Sequence, residues 1–125
     1  LLFICQKYKK LIVKIYMTSD LASKSCVPCK GGIPALNSDE AKQMLSSVNK
    51  WLLNDASTII EKRFTFDDFK QTLSFVNKVG ALAEVEGHHP DISLGWGYCE
   101  ISIHTHKIKG LHENDFILAS KIDEI

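Results

Sequence analysis

The clearest periodicity in the chain runs from Phe66 to Ala83. Phe66, Phe69, Leu73, Val76, Gly80 and Ala83 recur at spacings of three and four, and Phe75, Val79 and Leu82 widen the stripe. That spacing predicts an amphipathic helix whose aromatic residues face a core. Thr65 is placed to cap it, Asp67 and Asp68 suit its positive end, and Gly87 should stop it. An earlier helix is predicted from Asn37, with Glu40 completing a capping box and Ala41, Met44, Leu45 and Val48 on one face. Trp51 ends it and opens a strand to Leu53; Asn54-Asp55 turns, and 58–64 is β-rich enough to pair back as a hairpin. Beyond Pro90, residues 92–94 and 98–105 read as a second strand pair, with Trp96 between Gly95 and Gly97 in the loop. In the longer strand Cys99, Ile101, Ile103 and Thr105 alternate with Tyr98, Glu100, Ser102 and His104, the mark of a half-buried antiparallel strand. Lys109-Gly110 then turns into a closing helix over about 113–122. The order α-ββ-α-ββ-α implies an α+β fold: two layers, with an antiparallel four-stranded sheet and helices on one face. Strand 98–105 is expected at a sheet edge, where unpaired backbone invites a second copy of the chain.

Residues 1–36 break this pattern and read as an N-terminal extension, leaving 37–125 as the domain. Residues 1–16 are apolar, but lysines interrupt every run, so no stretch reaches the ~20 apolar residues of a membrane span. They are expected to lie upstream of a start at Met17, without a role in the fold. A short amphipathic segment on a membrane surface is the competing reading. Pro28, Gly31, Gly32 and Pro34 forbid a long regular element in 17–37. Cys26 and Cys29 form a single CxxC there, read as two free thiols in preference to half a zinc site or a redox pair.

Composition narrows the partners. Acids and bases balance at 15 each, and residues 1–16 hold four lysines and no acid, so the remainder is mildly acidic. That argues against a nucleic-acid backbone as partner. With 125 residues the chain can bury a core without disulfides. Cys5 and Cys99 stand isolated in apolar contexts, so a reducing, cytoplasmic compartment is expected.

Candidate chemistry concentrates late in the chain. All five histidines fall between His88 and His112, and the tightest group is Glu84-Val85-Glu86-Gly87-His88-His89-Pro90. Imidazoles exchange protons near neutral pH, and Glu84, one helical turn before His88, is placed to fix that ring's tautomer. Pro90 restricts His89 to extended backbone. A zinc reading stays open, because His88, His89 and His106 offer three nitrogens and His104-x-His106 has ligand spacing on a strand. His104 otherwise reads as a surface residue.

Glu84, then His88-His89-Pro90, then Trp96, His106 and Asp115 resemble, in order and spacing, the signature of the pterin-4a-carbinolamine dehydratases. Trp51, the run from Phe64 to Phe69, and residues 110–122 extend the resemblance across 37–125. One departure is His112, which stands where the family usually has Thr or Ser capping the last helix. The resemblance implies dehydration of a 4a-hydroxytetrahydropterin to the quinonoid dihydropterin by histidine acid/base catalysis, without metal or organic cofactor. It makes His88, His106, His89 and Glu84 the candidate catalytic set. Trp51, His89, Asp115 and Thr105 become candidate substrate contacts. It also implies a homodimer or homotetramer, with a pterin-binding or transcriptional dimerisation-cofactor role as the alternative to turnover.

Overall fold

The structure is a computed structural model and describes residues 20–27 and 31–125. Residues 1–19 and Cys29 lie outside the described residues, and with them the readings of the first segment and of the second CxxC thiol. Helix α1 (Ser38–Leu45) starts as anticipated: the Asn37 side chain accepts from the Glu40 N–H, and the Glu40 carboxylate accepts from the Asn37 N–H. Strands β1 (Leu52–Leu53) and β2 (Ile60–Thr65) form the first hairpin, and helix α2 (Phe69–Glu86) follows. Strands β3 (Asp91–Gly95) and β4 (Tyr98–Ile103) form the second hairpin. A 3-10 turn (His106–Ile108) then leads to helix α3 (Glu113–Asp123).

All pairings are antiparallel, and the strand order is β1-β2-β4-β3. This corrects the expected edge: β4 is bonded on both sides, and among the described residues β1 and β3 lie at the edges. Strand order depends on which hairpin docks on which, and the apolar alternation of β4 is the same at an edge or in the middle. The alternation itself holds, with Cys99, Ile101, Ile103 and Thr105 all buried. They meet Ile60 and the helices, whereas Glu61, Arg63, Glu100 and Ser102 take the opposite face, where Arg63 pairs with Glu100 across the strands.

Two details of α2 differ from the periodicity. Thr65 belongs to β2, and the cap is Asp68, whose carboxylate accepts from the Gln71 N–H at 2.7 Å. Asp68 has the extended backbone a cap requires, while Thr65 is held in the β2–β4 ladder. The buried line of α2 is Thr72, Val79 and Ala83, and Phe69 and Leu73 are exposed. A stripe this wide exceeds the area one sheet covers, so its flank faces outward. Phe66 and Phe75 do pack, their rings 5.1 Å apart.

The arm before α1 is tied to the helices. Leu21 is buried in the core. Asn114 holds Val27 twice, accepting its N–H at 3.1 Å and donating to its carbonyl at 2.7 Å. The Cys26 N–H donates to Glu86 at 2.8 Å, and Lys121 lies 3.2 Å from the same carboxylate. Burial pushes the Cys26 thiol up to about 12, with the negative charge of Glu86 adding to it, so this sulfur is not a thiolate at neutral pH. Burial also works to raise the Glu86 carboxyl. The Cys26 N–H and Lys121 outweigh it and hold the group below the usual carboxylate range. Its contribution to stability is therefore present above about pH 4.3, the unperturbed glutamate value, and is lost as pH falls through the lower folded value. Glu86→Ala should release the arm at neutral pH, costing about 1–3 kcal/mol for the unpaired groups. Hydrogen exchange at residues 20–27 should quicken while exchange in β2 and β4 stays unchanged.

Candidate active site

Gly87 sets the geometry of the site. It ends α2 in the left-handed conformation, φ 63°, with its N–H bonded to the Ala83 carbonyl. The His88 N–H reaches the same carbonyl at 3.2 Å. Pro90 favours extended backbone at His89, and successive side chains of extended backbone point to opposite sides. His88 consequently turns inward, with 13% of its side chain exposed, and His89 turns outward with 60% exposed.

Each imidazole takes its own carboxylate. His88 Nε2 lies 2.6 Å from Asp115 Oδ1, and His89 Nε2 lies 2.7 Å from Glu84 Oε1. This corrects the partner expected for Glu84, since the inward turn of His88 carries that ring away from α2 and toward α3. Asp115 is fully buried. Its Oδ2 accepts from the Thr105 hydroxyl and from the His112 N–H, both at 2.8 Å. The His112 ring in turn accepts from the Asn114 N–H at 3.3 Å, so this histidine does cap α3, with Asp115 as the returning acid of its capping box. The carboxylate thus sits in the first turn of α3, where the helix dipole favours negative charge. A carboxylate oxygen accepts, so this contact favours the His88 tautomer that carries its proton on Nε2.

Thr105 also fixes the second side of the site. It exchanges backbone bonds with Gly110, at 2.9 and 3.5 Å, closing the loop that carries His106. A Cβ at Gly110 would lie 2.7 Å from that of Ala35, so glycine is needed where the loop closes against the arm. Gly87, His88, His89, Thr105, His106 and Lys107 together line an open cleft of about 260 Å³.

Four of the sequence candidates therefore converge: His88, His89, His106 and Thr105 line one cleft. Glu84 and Asp115 stand behind two of them. Asp115, anticipated as a substrate contact, has no exposed surface and acts through His88 and Thr105. Trp51 is elsewhere. It is buried, its indole N–H donates to Asp123 at 3.0 Å, and it packs edge-on against Phe64. Asp123 is eight residues beyond Asp115, about 12 Å along α3, which puts Trp51 at the far end of that helix. His104 is half-buried, not a surface residue as expected, and its ring lies 4.0 Å from that of His106.

A family model described as pterin 4 alpha carbinolamine dehydratase matches residues 34–125. A protein of Methylococcus capsulatus named "Putative pterin-4-alpha-carbinolamine dehydratase" is 54% identical over 105 residues, covering 84% of this chain and 92% of that one. A Rickettsia bellii protein of the same name is 48% identical over 108 residues, covering 86% and 95%. Among solved structures, a transcriptional coactivator/pterin dehydratase from Brucella melitensis superposes with a TM-score of 0.68 at 26% identity, covering 72% of this chain and 96% of that one. A pterin dehydratase-like protein, identified as a RuBisCO assembly factor in the alpha-carboxysome, gives 0.53 at 27% identity, covering 61% and 88%. With a family match across the whole sheet and all three main helices, the chain belongs to the pterin 4 alpha carbinolamine dehydratase family.

Proposed function

We propose that the protein removes water from a 4a-hydroxytetrahydropterin to give the quinonoid dihydropterin, in support of tetrahydropterin recycling in the cytoplasm. The observation that carries this reading is the cleft in which His88, backed by buried Asp115, faces the loop of His106 with His89 alongside. One imidazole takes the proton from N5 as the other protonates the hydroxyl leaving C4a. The N5–C4a double bond forms, the C4a–O bond breaks, and water departs. Proton transfer of this kind calls on no metal and no organic cofactor. His89 holds the pterin, with Glu84 steadying its ring.

The test is turnover of 4a-hydroxytetrahydropterin by the full chain after metal is stripped with a chelator. Turnover undiminished by chelation, with a bell-shaped pH profile, is the expected result. Pterin binding without turnover would make the chain a binding module.

The edge position of β3 among the described residues supports assembly into a dimer or tetramer, since the outward backbone groups of this five-residue strand invite a second copy. Sedimentation at micromolar concentration should give at least a dimer, and a monomer would refute it.

A further inference from the structure

Beside the cleft, three side chains that the dehydration does not use together converge. Asp91, His104 and His106 each offer one ligand atom, and those atoms all lie within 4.8 Å of one another. The placement follows from register. Asp91 pairs with Ser102 across β3 and β4, so His104, two residues on, falls on the same side as Asp91. His106 follows after two more residues, its ring tilted at 46° to that of His104.

The His104 ring is the telling member. Its Nδ1 is buried and makes no hydrogen bond among the described residues. The nearest carboxylate oxygen, Asp91 Oδ2, stands 3.9 Å away, too far for a hydrogen bond. Buried polar atoms are nearly always partnered, so this nitrogen lacks a group that binds it. Two donors on one tetrahedral ion, each ~2.0–2.1 Å from it, lie about 3.3 Å apart. A gap of 3.9 Å is therefore close to what one shared ion needs, and Asp91, at the exposed end, is free to rotate inward.

We infer that Asp91, His104 and His106 form a binding site for a divalent transition-metal ion. Two imidazoles and one carboxylate suit zinc, cobalt or nickel and disfavour magnesium and calcium, which take oxygen ligands. Three protein ligands leave a coordination position open toward solvent. His106 belongs to both this site and the cleft, so the ion is inhibitory: a ligated imidazole gives and takes no proton. The inhibition alone rests on the dehydratase reading.

The experiment titrates the metal-free full chain with zinc by calorimetry and with cobalt by visible absorption. One ion per chain is expected, with cobalt bands in the visible and no thiolate charge-transfer band. His104→Ala should weaken binding at least 100-fold, and Asp91→Asn, at an exposed position that leaves the fold intact, should weaken it too. Zinc should suppress wild-type turnover and spare that of His104→Ala, whose turnover without metal is unchanged. Binding undiminished in both variants, or lost only in Cys26→Ser, would overturn the site. Metal bound as described by a chain without turnover under any condition would leave the site standing and refute the dehydratase reading.

Discussion

His88→Ala and His106→Ala should each lower the dehydration rate by about 10²–10⁴-fold, the usual worth of one acid/base group. The two rings face one cleft from separate elements, one after the C-cap of α2 and one in the loop closed by Thr105 and Gly110. His106 is exposed, so His106→Ala should fold like the wild type, whereas His88→Ala strands the buried Asp115 carboxylate and its melting is read beside its rate. If the two imidazoles act as acid and base on one substrate, the double variant should lose less than the product of the single losses. Single-turnover rates on the stripped protein check this. His104→Ala is the control, and a loss there equal to that of His106→Ala would sink the assignment.

Asp115→Ala should be the most damaging single change, because it strikes stability and turnover at once. The buried carboxylate receives the Thr105 hydroxyl, the His112 N–H and His88. Deleting it takes that acceptor from three polar groups packed behind the cleft. Breaking a buried pair of this kind costs about 3–5 kcal/mol. For a domain of this size, that is a fall in Tm of roughly 10 °C or more. Asp115→Asn separates the two effects. The amide can still accept from Thr105 and His112, so the variant should melt near the wild type. It cannot hold His88 in the same tautomer as an anion does, and turnover should fall by several orders of magnitude. Chemical denaturation beside turnover reads both. An Asn variant with full turnover would show that the charge on Asp115 is not used.

Most of the local structure was legible. The capping box at Asn37 and the stop at Gly87 follow from residue type and spacing over three or four positions. The histidine cluster was legible for the same reason, being contiguous from His88 to Pro90. What the sequence hid is set by distant parts of the chain. Glu84 looked like the partner of His88 because it lies four residues before it. The ring in fact pairs with Asp115, 27 residues away, because Gly87 turns it toward α3. The central place of β4 depends on the docking of two hairpins, which no single strand encodes. Trp51 has the residue type of a pocket wall, yet β1 delivers it to the far end of α3, where Asp123 takes its N–H. The spacing of His104-x-His106 was legible, but Asp91 joins them only through the β3–β4 register, so His104 read as surface.

The capping box of α3 has a consequence for the nascent chain. His88 is synthesised well before Asp115, and the carboxylate that orients it is also the returning acid of the α3 capping box. Before α3 winds, α2 can coil and β3 and β4 can pair, yet the His88 ring has no anchor. It gains one only when the first turn of α3 winds and Asp115 meets Thr105. Competence therefore arrives in one late step with the docking of that helix, and a chain stalled before Asp115 holds every imidazole of the cleft without the geometry to use them.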